Sequence, residues 1–153
     1  MTTEIRKLEP PDFKTLVRLG REMHAESSFS RIPFSDDKAY TTLGRYVCGD
    51  DRVWYVACVD GEICGFFAGY VSPFFFSHEY VAHEILWYVV QEHRKTGLGL
   101  QLLAAFERWA KEKEVFEIRI GYSTDVDSPA FERLMQKRGY SRVGGNYRLE
   151  NSP

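Results

Sequence analysis

Apolar residues recur along the chain with two periods. A period of about two residues predicts short strands, and a period of three to four residues predicts amphipathic helices. Runs rich in Val, Ile, Trp and Tyr between turn residues predict strands; these are residues 3–7, 52–59, 62–71, 80–90, 115–121 and 140–149. Apolar residues spaced three and four apart predict helices; these are residues 12–25, 35–49, 100–113 and 128–138. The order of elements predicts a mixed α/β fold in which the helix at 100–113 joins two parallel strands.

Length and composition favour a soluble globular protein of one domain, spanning residues 1–153. The chain has 44% hydrophobic and 27% charged residues, a net charge of −2 and a pI near 6.1. This balance gives no general attraction to nucleic acid or to an anionic membrane. No basic-then-apolar leader opens the chain and no apolar run approaches a membrane span, so we expect a cytoplasmic protein.

The cysteines argue against a disulfide framework and against a metal site. There are three of them, Cys48, Cys58 and Cys64, and their spacing matches no common set of metal ligands. Cys58 and Cys64 fall in predicted strands, where small apolar side chains suit a core. We therefore expect no metal ion.

The most informative stretch is residues 89–100, where a strand, a basic loop and a helix follow one another. The start of a helix exposes backbone N–H groups without internal partners, and the helix dipole adds partial positive charge there. Gly97 and Gly99 carry no side chain that would keep an anion from the backbone, and Arg94 and Lys95 add full positive charge. The turn is predicted to bind an anion the size of a diphosphate.

The spacing Arg94-x-x-Gly97-x-Gly99 after a strand resembles the acetyl-CoA loop of the GCN5-related N-acetyltransferase (GNAT) family. The resemblance covers residues 87–103 closely and the order of elements along nearly the whole chain, although Gln91 stands where the family usually has Pro. Neither a Gly-x-Gly-x-x-Gly dinucleotide signature nor a phosphate-binding Gly-Lys-Ser/Thr signature is present. The resemblance implies the acyl-CoA N-acyltransferase fold, a mixed and mostly antiparallel central sheet with a splayed parallel strand pair and flanking helices.

The resemblance also implies acetyl-CoA as cosubstrate and assigns its binding residues. They are Val89, Val90, Arg94, Lys95, Thr96, Gly97, Leu98, Gly99, Ser128 and Met135. A backbone N–H near Val89 or Val90 is expected to point at the thioester carbonyl. Arg94 is expected to contact phosphate with its side chain, and Lys95 and Thr96 mainly with their amides.

Two of these positions depart from the family pattern. Ser128 stands at the usual Asn position and can still hydrogen-bond the pantetheine arm. Met135 stands where the family often has the Tyr that protonates the leaving thiolate, and a thioether has no proton to give. Tyr122 and Ser123, at the end of the preceding strand, are the nearest alternative proton donors.

Glu84 is the candidate general base because it is a carboxylate inside an otherwise apolar strand. Burial would raise its pKa and make it a better proton acceptor. The alternative is an ordinary glutamate at a strand edge or on a solvated face. His83 points to the opposite face if the strand is regular, and it is the second candidate base.

The resemblance therefore implies an N-acetyltransferase in which a primary amine of a small molecule or peptide attacks acetyl-CoA directly. The alternative is a non-catalytic acyl-CoA-binding regulatory module with the same fold, which Met135 favours. The acceptor side is expected at residues 22–34 and 73–80, where Glu26 and Glu79 could attract a cationic amine. The aromatic residues there either line an apolar wall or serve as core or homodimer contacts, since dimers are common in the family; they are Phe29, Phe34, Phe74, Phe75 and Phe76.

Overall fold

The computed structural model describes residues 1–121 and 128–151, and these form two compact units, one from each range. The first unit holds a sheet and three helices, and the second holds one helix. A single domain over residues 1–153 stays a prediction. Within the described ranges, no helix combines the length and the apolar character needed to cross a membrane.

The strands of the first unit form one mixed sheet. They are β1 (Thr3–Lys7), β2 (Arg52–Val59), β3 (Glu62–Pro73), β4 (Tyr80–Val89) and β5 (Glu117–Arg119). Their spatial order follows the sequence from β1 to β5. The first three pairings are antiparallel and the β4–β5 pairing is parallel. The predicted fold class, a mostly antiparallel sheet with one parallel pair and flanking helices, is confirmed.

The helices begin within two residues of the predicted positions, and two of the starts have a capping serine that the sequence predicted. They are α1 (Phe13–Glu26), α2 (Asp36–Cys48), α3 (Leu98–Glu112) and α4 (Pro129–Lys137). Ser35 Oγ accepts a hydrogen bond from Lys38 N at 3.2 Å, and Ser128 Oγ accepts one from Phe131 N at 3.2 Å. Each cap satisfies an N–H group that has no partner inside its helix.

Consecutive residues of β3 show how the sheet is covered on both faces. Phe66 and Phe67 are fully buried, and successive side chains of a strand point to opposite faces. Phe66 packs in the cluster that includes Leu16 and Leu19 of α1. Phe67 packs against Phe106 of α3, with ring centroids 4.6 Å apart. The sheet therefore lies between α1 on one face and α3 on the other.

A β-bulge interrupts the pairing of β3 with β4. Ala68 pairs with Leu86 and Gly69 pairs with Glu84, so Ile85 is an extra residue in β4. A Cβ atom at Gly69 would lie 2.4 Å from the Phe106 ring and 2.5 Å from the His83 carbonyl oxygen. Only glycine fits opposite Glu84, and the bulge breaks the regular alternation of β4 at that carboxylate.

The predicted last strand at residues 140–149 is wrong. No strand is assigned to the described residues 140–151. Val143 is 82% exposed, Tyr147 is 101% exposed and Leu149 is 95% exposed, so the alternation that suggested a strand has no buried face to stabilise it. Gly144, with φ 133°, adds a backbone conformation that is foreign to a strand.

Other boundaries also differ from the prediction. The strand predicted at 115–121 shrinks to Glu117–Arg119, the three residues that pair with β4 at residues 81–83. The helix predicted from Leu100 begins at Leu98, because the turn is completed at Gly97. Gly99 therefore lies inside the first turn of α3 and not in the loop before it.

Candidate active site

The start of α3 is an open helix terminus capped by glycine. Gly97 is the cap residue with φ 81° and ψ 0°, and no side chain caps the helix there. A Cβ atom at Gly97 would meet no atom of the described residues within 4 Å, so the space that these residues leave beside it is open. The first N–H groups of the helix have no acceptor inside it and are available to an anion from outside.

Gly99 has a different role from Gly97. A Cβ atom at Gly99 would lie 3.5 Å from Trp87 Nε1 and 3.7 Å from Val89 Cγ2. Its small size therefore lets the first turn of α3 lie directly against β4. The sequence predicted one function for both glycines, but the structure assigns the turn to Gly97 and the close helix–strand contact to Gly99.

The loop before α3 borders a cavity of about 460 Å³, lined by Gln91, Glu92, Arg94, Lys95 and Thr96. Thr96 was expected to offer its amide to a phosphate. In the structure its N–H and its hydroxyl both donate to the carbonyl oxygen of His93, at 3.3 and 2.7 Å. These bonds close the turn, so the amide of Thr96 is already used.

Arg94 lines this cavity, but its guanidinium is bonded to β4 and α1. Its Nε donates to the carbonyl oxygen of Val89 at 2.9 Å, and its Nη2 pairs with Glu26 Oε2. Tyr88 completes the group, because its hydroxyl donates to Glu26 Oε1 at 3.2 Å and its ring lies 5.5 Å from the guanidinium carbon. From the sequence, Arg94 was expected to contact phosphate and Glu26 to attract a cationic amine. In the structure, these two side chains form an ion pair with each other.

The backbone amides of Val89 and Val90, either of which was expected to point at the thioester carbonyl, have different surroundings in the structure. Val90 N–H donates to the carbonyl oxygen of Cys64 at 2.9 Å, which uses it in the pairing with β3. Successive N–H groups of a strand point to opposite edges. The N–H of Val89 therefore points away from β3, on the edge where β5 pairs only with residues 81–83. Of the two amides, that of Val89 is the one that no strand of the described residues uses.

Glu84 lies where β4 and β5 part. Their pairing ends at His83 and Arg119, and beyond it Gly121 N donates to Glu84 Oε2 at 3.0 Å. Burial raises the pKa of the Glu84 carboxyl from 4.5 to about 7, although the hydrogen bond from Gly121 opposes this rise. A carboxyl with this pKa exchanges protons readily near neutral pH.

His83 has different surroundings from Glu84. Its Nε2 lies 3.1 Å from Ser72 Oγ, and its ring stacks on Tyr70 at a centroid distance of 4.9 Å. Burial and the nearby Arg119 lower the pKa of His83, so its neutral form is favoured. The prediction that the two residues face different sides of the strand agrees with these separate partners.

The remaining predicted site residues belong to the second unit or lie outside the described residues. Ser128 is the cap of α4 and accepts from Phe131 N. Met135 lies in the last turns of α4, and its carbonyl oxygen accepts from Tyr140 N at 2.9 Å. Tyr122 and Ser123 lie outside the described residues.

Sequence reasoning missed two features of this site. One is the contact of Tyr88 with Glu26, which joins residues 62 positions apart. The other is the Gly121 amide that holds Glu84, 37 positions away. No local pattern signals either contact, although the end of β4 and the end of β5 are neighbours in any sheet with this connection.

A comparison with protein families gives the class of this chain. A profile described as the acetyltransferase (GNAT) family matches residues 16–140. The chain belongs to this acetyltransferase family. A comparison with curated proteins found no match.

Solved structures share the fold at low sequence identity. AAC(6')-Iy in complex with the bisubstrate analogue CoA-S-monomethyl-acetylneamine is 17% identical with a TM-score of 0.79, over 100% of both chains. Glucosamine-6-phosphate N-acetyltransferase from Arabidopsis thaliana is 17% identical with a TM-score of 0.78, over 99% of this chain and 100% of that one. A transcriptional regulator from Bacillus halodurans C-125 is 19% identical with a TM-score of 0.78, over 97% and 99%. At these identities the likeness concerns the fold.

Proposed function

We propose that this protein transfers the acetyl group of acetyl-CoA directly to a primary amine of a small molecule or peptide, with Glu84 as general base. The observation that carries the proposal is the position of the Glu84 carboxylate in the opening between β4 and β5, with its pKa raised to about 7. Membership of the acetyltransferase family and the glycine-capped start of α3 support it.

The residues around α3 suit the diphosphate of acetyl-CoA. Gly97 leaves open space at the helix start, and Lys95 borders the cavity beside it. The amides of Gly97, Leu98 and Gly99 would donate to phosphate oxygens, and Lys95 would add charge. In this arrangement Arg94 acts through Val89 and Glu26, shaping the loop. Ser128 and Met135 remain the proposed contacts of the pantetheine arm.

The chemistry requires a neutral amine and a stabilised oxyanion. Acetyl-CoA, when bound, supplies a thioester whose leaving group is a thiolate. An alkyl amine of pKa about 10.4 is about three units above neutral pH, so its neutral form costs about 4 kcal/mol. Glu84 would accept the amine proton, and the N–H of Val89 would donate to the developing oxyanion. Tyr122 stays the proposed proton donor to the leaving thiolate, because Met135 has no proton to give.

The substrates named for two similar structures guide the choice of acceptors. One is a complex with an acetylneamine conjugate, and the other is a glucosamine-6-phosphate N-acetyltransferase. Both names indicate small amines as acceptors. The second candidate function, an acyl-CoA-binding regulatory module, is favoured by Met135 at the usual position of the proton donor.

A binding experiment tests the cofactor loop. We expect Gly97→Glu to lower the affinity for acetyl-CoA in calorimetric titration by more than about a hundredfold, because it adds bulk and negative charge at the helix start. Gly61→Glu is the matched control, since Gly61 also has a positive φ of 85° and open space but lies in the β2–β3 turn. Equal affinity of both variants and the wild type would contradict this site.

A turnover experiment separates the two candidate functions. Release of the CoA thiol is measured with a panel of primary amines. We expect at least one amine to support release in the wild type, with the acetylated amine identified by mass spectrometry. Tight binding of acetyl-CoA without turnover on any amine would instead favour the regulatory module.

A further inference from the structure

A network of three side chains connects the end of α1 to the end of β4. Glu26, the last residue of α1, uses both of its carboxylate oxygens in this network. Its Oε1 accepts a hydrogen bond from the Tyr88 hydroxyl at 3.2 Å, and its Oε2 pairs with Arg94 Nη2. The guanidinium carbon of Arg94 lies 5.5 Å from the centroid of the Tyr88 ring. Each of the three side chains therefore contacts the other two.

Tyr88 makes this network more than a surface ion pair. The side chains of Arg94 and Glu26 are 42% and 46% exposed, and such a pair alone contributes little to stability. Tyr88 is buried, and its ring packs against Phe66 of the core at a centroid distance of 5.6 Å. Burial raises the pKa of Tyr88, so its hydroxyl keeps its proton and stays a donor to Glu26. One end of the network is therefore anchored in the core.

The other end of the network holds a backbone peptide at the end of β4. Arg94 Nε donates to the carbonyl oxygen of Val89 at 2.9 Å. The N–H of the same peptide group, that of Val90, donates to the carbonyl oxygen of Cys64 at 2.9 Å. A peptide group is planar, so hydrogen bonds at both of its ends fix its orientation. This peptide is held by β3 on one side and by Arg94 on the other.

The held peptide adjoins the amide that we assign to the oxyanion. The N–H and the carbonyl group of one strand residue point to the same edge, so both groups of Val89 lie on the edge that faces away from β3. Fixing the carbonyl of Val89 therefore also limits the direction of its N–H. An oxyanion donor acts only when it points closely at the developing charge.

We propose that Glu26 is a positioning residue for acetyl transfer, because through Arg94 it holds the end of β4 so that the Val89 N–H points at the oxyanion. The inference rests on the proposed acetyl-transfer function. This role differs from the one expected from the sequence, in which Glu26 attracts the acceptor amine.

Steady-state kinetics separate these two roles of Glu26, using an amine that the wild type acetylates. An oxyanion donor acts in the transition state, whereas a carboxylate that binds the amine acts on the bound substrate. We expect Glu26→Gln to lower kcat about tenfold, because it loses part of the roughly 10²- to 10³-fold contribution of one oxyanion donor. The KM of the amine should not change. A raised KM of the amine at unchanged kcat would overturn the proposal.

Glu117→Gln is the matched control. Glu117 pairs with Arg119, and their side chains are 43% and 45% exposed, close to the values for Glu26 and Arg94. The substitution removes the same charge from the same unit and leaves the network intact. We expect its kcat and KM to equal those of the wild type. Equal decreases of kcat in the two variants would attribute the effect to net charge and overturn the proposal.

A double-mutant cycle tests whether Glu26 acts through Arg94. Arg94→Gln removes the bond to the Val89 carbonyl itself, so it should lower kcat at least as much as Glu26→Gln. The double variant should then match Arg94→Gln within about twofold, because the second substitution removes nothing more. If the two decreases multiply in the double variant, Glu26 acts by another route and the proposal is refuted.

A measurement without acetyl-CoA separates the failure of this inference from the failure of the proposed function. The backbone amide resonance of Val89 is followed by NMR in the isotopically labelled protein. We expect Glu26→Gln to shift it and Glu117→Gln to leave it in place. A shift without acetylation of any amine by the wild type would refute the acetyl transfer, and with it the catalytic role of the network. Acetylation by the wild type, with an unmoved Val89 resonance and unchanged kcat in Glu26→Gln, would support the acetyl transfer and refute the positioning role.

Discussion

Two carboxylates of the same unit, Asp12 and Glu84, show opposite effects of burial. Asp12 lies before α1 and is 7% exposed. It accepts from Arg6 Nη1 at 2.7 Å, from Arg6 Nη2 at 2.9 Å and from Glu9 N at 2.9 Å. Its hydrogen bonds with Arg6 hold its pKa below the usual value, against the effect of burial. Among the described residues, the hydrogen bond of Glu84 comes from the Gly121 amide, and burial raises its pKa to about 7.

The comparison shows that the partner, and not burial alone, decides what a carboxylate can do. A planar guanidinium that bonds both carboxylate oxygens keeps Asp12 ionised and makes it a structural tie between β1 and the start of α1. One neutral amide leaves Glu84 able to take up a proton near neutral pH. The predictions that follow remove or alter one partner at a time.

The largest expected effect is on catalysis. We expect Glu84→Gln to lower kcat/KM for acetyl transfer by about 10²- to 10⁴-fold, the usual contribution of a general base. In the wild type kcat/KM should rise with pH through about 7, because Glu84 must be ionised to accept a proton. This limb should be absent from the variant in a pH series of thiol release. If His83→Gln removes the limb and Glu84→Gln does not, His83 is the base.

Arg6→Met tests the structural carboxylate. It leaves Asp12 buried without its cation, so the free energy of unfolding should fall by about 2–3 kcal/mol at pH 7. Urea denaturation of the variant and the wild type measures this difference.

The pH dependence of stability gives a second test of the Arg6–Asp12 pair. The lowered pKa of Asp12 stabilises the fold above the pKa of the unfolded chain, and this stabilisation is lost as the pH falls through the folded pKa. The free energy of unfolding of Arg6→Met should not show this decrease at low pH.

Glu84 should have the opposite effect on the pH dependence of stability. Because its folded pKa is raised, the folded chain holds more protons than the unfolded chain between pH 4.5 and about 7. Stability should therefore fall as the pH rises through this range. Glu84→Gln keeps an acceptor for the Gly121 amide, so it should be more stable than the wild type at pH 8 by about 3 kcal/mol and equal to it at pH 4. A constant difference across this range would contradict the raised pKa.

The smallest expected effect separates charge from geometry. Arg6→Lys keeps the positive charge near Asp12 but cannot bond both oxygens in a fork. We expect the free energy of unfolding to fall by about 1 kcal/mol, less than in Arg6→Met. Equal decreases in the free energy of unfolding of Arg6→Lys and Arg6→Met would mean that the stabilisation comes from the two-bond geometry and not from the positive charge.

Local patterns in the sequence predicted most of the fold. Ser35 and Ser128 marked two helix starts, and Asp60-Gly61 marked the turn between β2 and β3. The resemblance of residues 87–103 predicted the turn before α3, and Gly97 lies at that turn. These features depend on neighbours along the chain, so a single sequence contains them.

The remaining features depend on neighbours in space. The choice between the amides of Val89 and Val90 is made by Cys64 on β3. The direction of Arg94 is set by Glu26, 68 positions away. An apolar cavity of about 410 Å³ between α1, α2 and the sheet has walls from both helices, their joining segment and three strands. The alternating pattern at residues 140–149 predicted a strand that is not formed. Periodicity alone does not show whether a core is present to bury the apolar side chains.

The extra residue at Ile85 sets the phase of β4. Deleting it would turn every side chain on one side of the deletion to the other face, while the turn before α3 kept its place. In a relative that lacks this residue, counting back from the glycines would lead to the wrong carboxylate. Alignments of such chains should therefore be anchored separately on each side of the inserted residue. Moving the insertion by one position along β4 would turn the Glu84 carboxylate to the other face of the sheet without changing any amino-acid type.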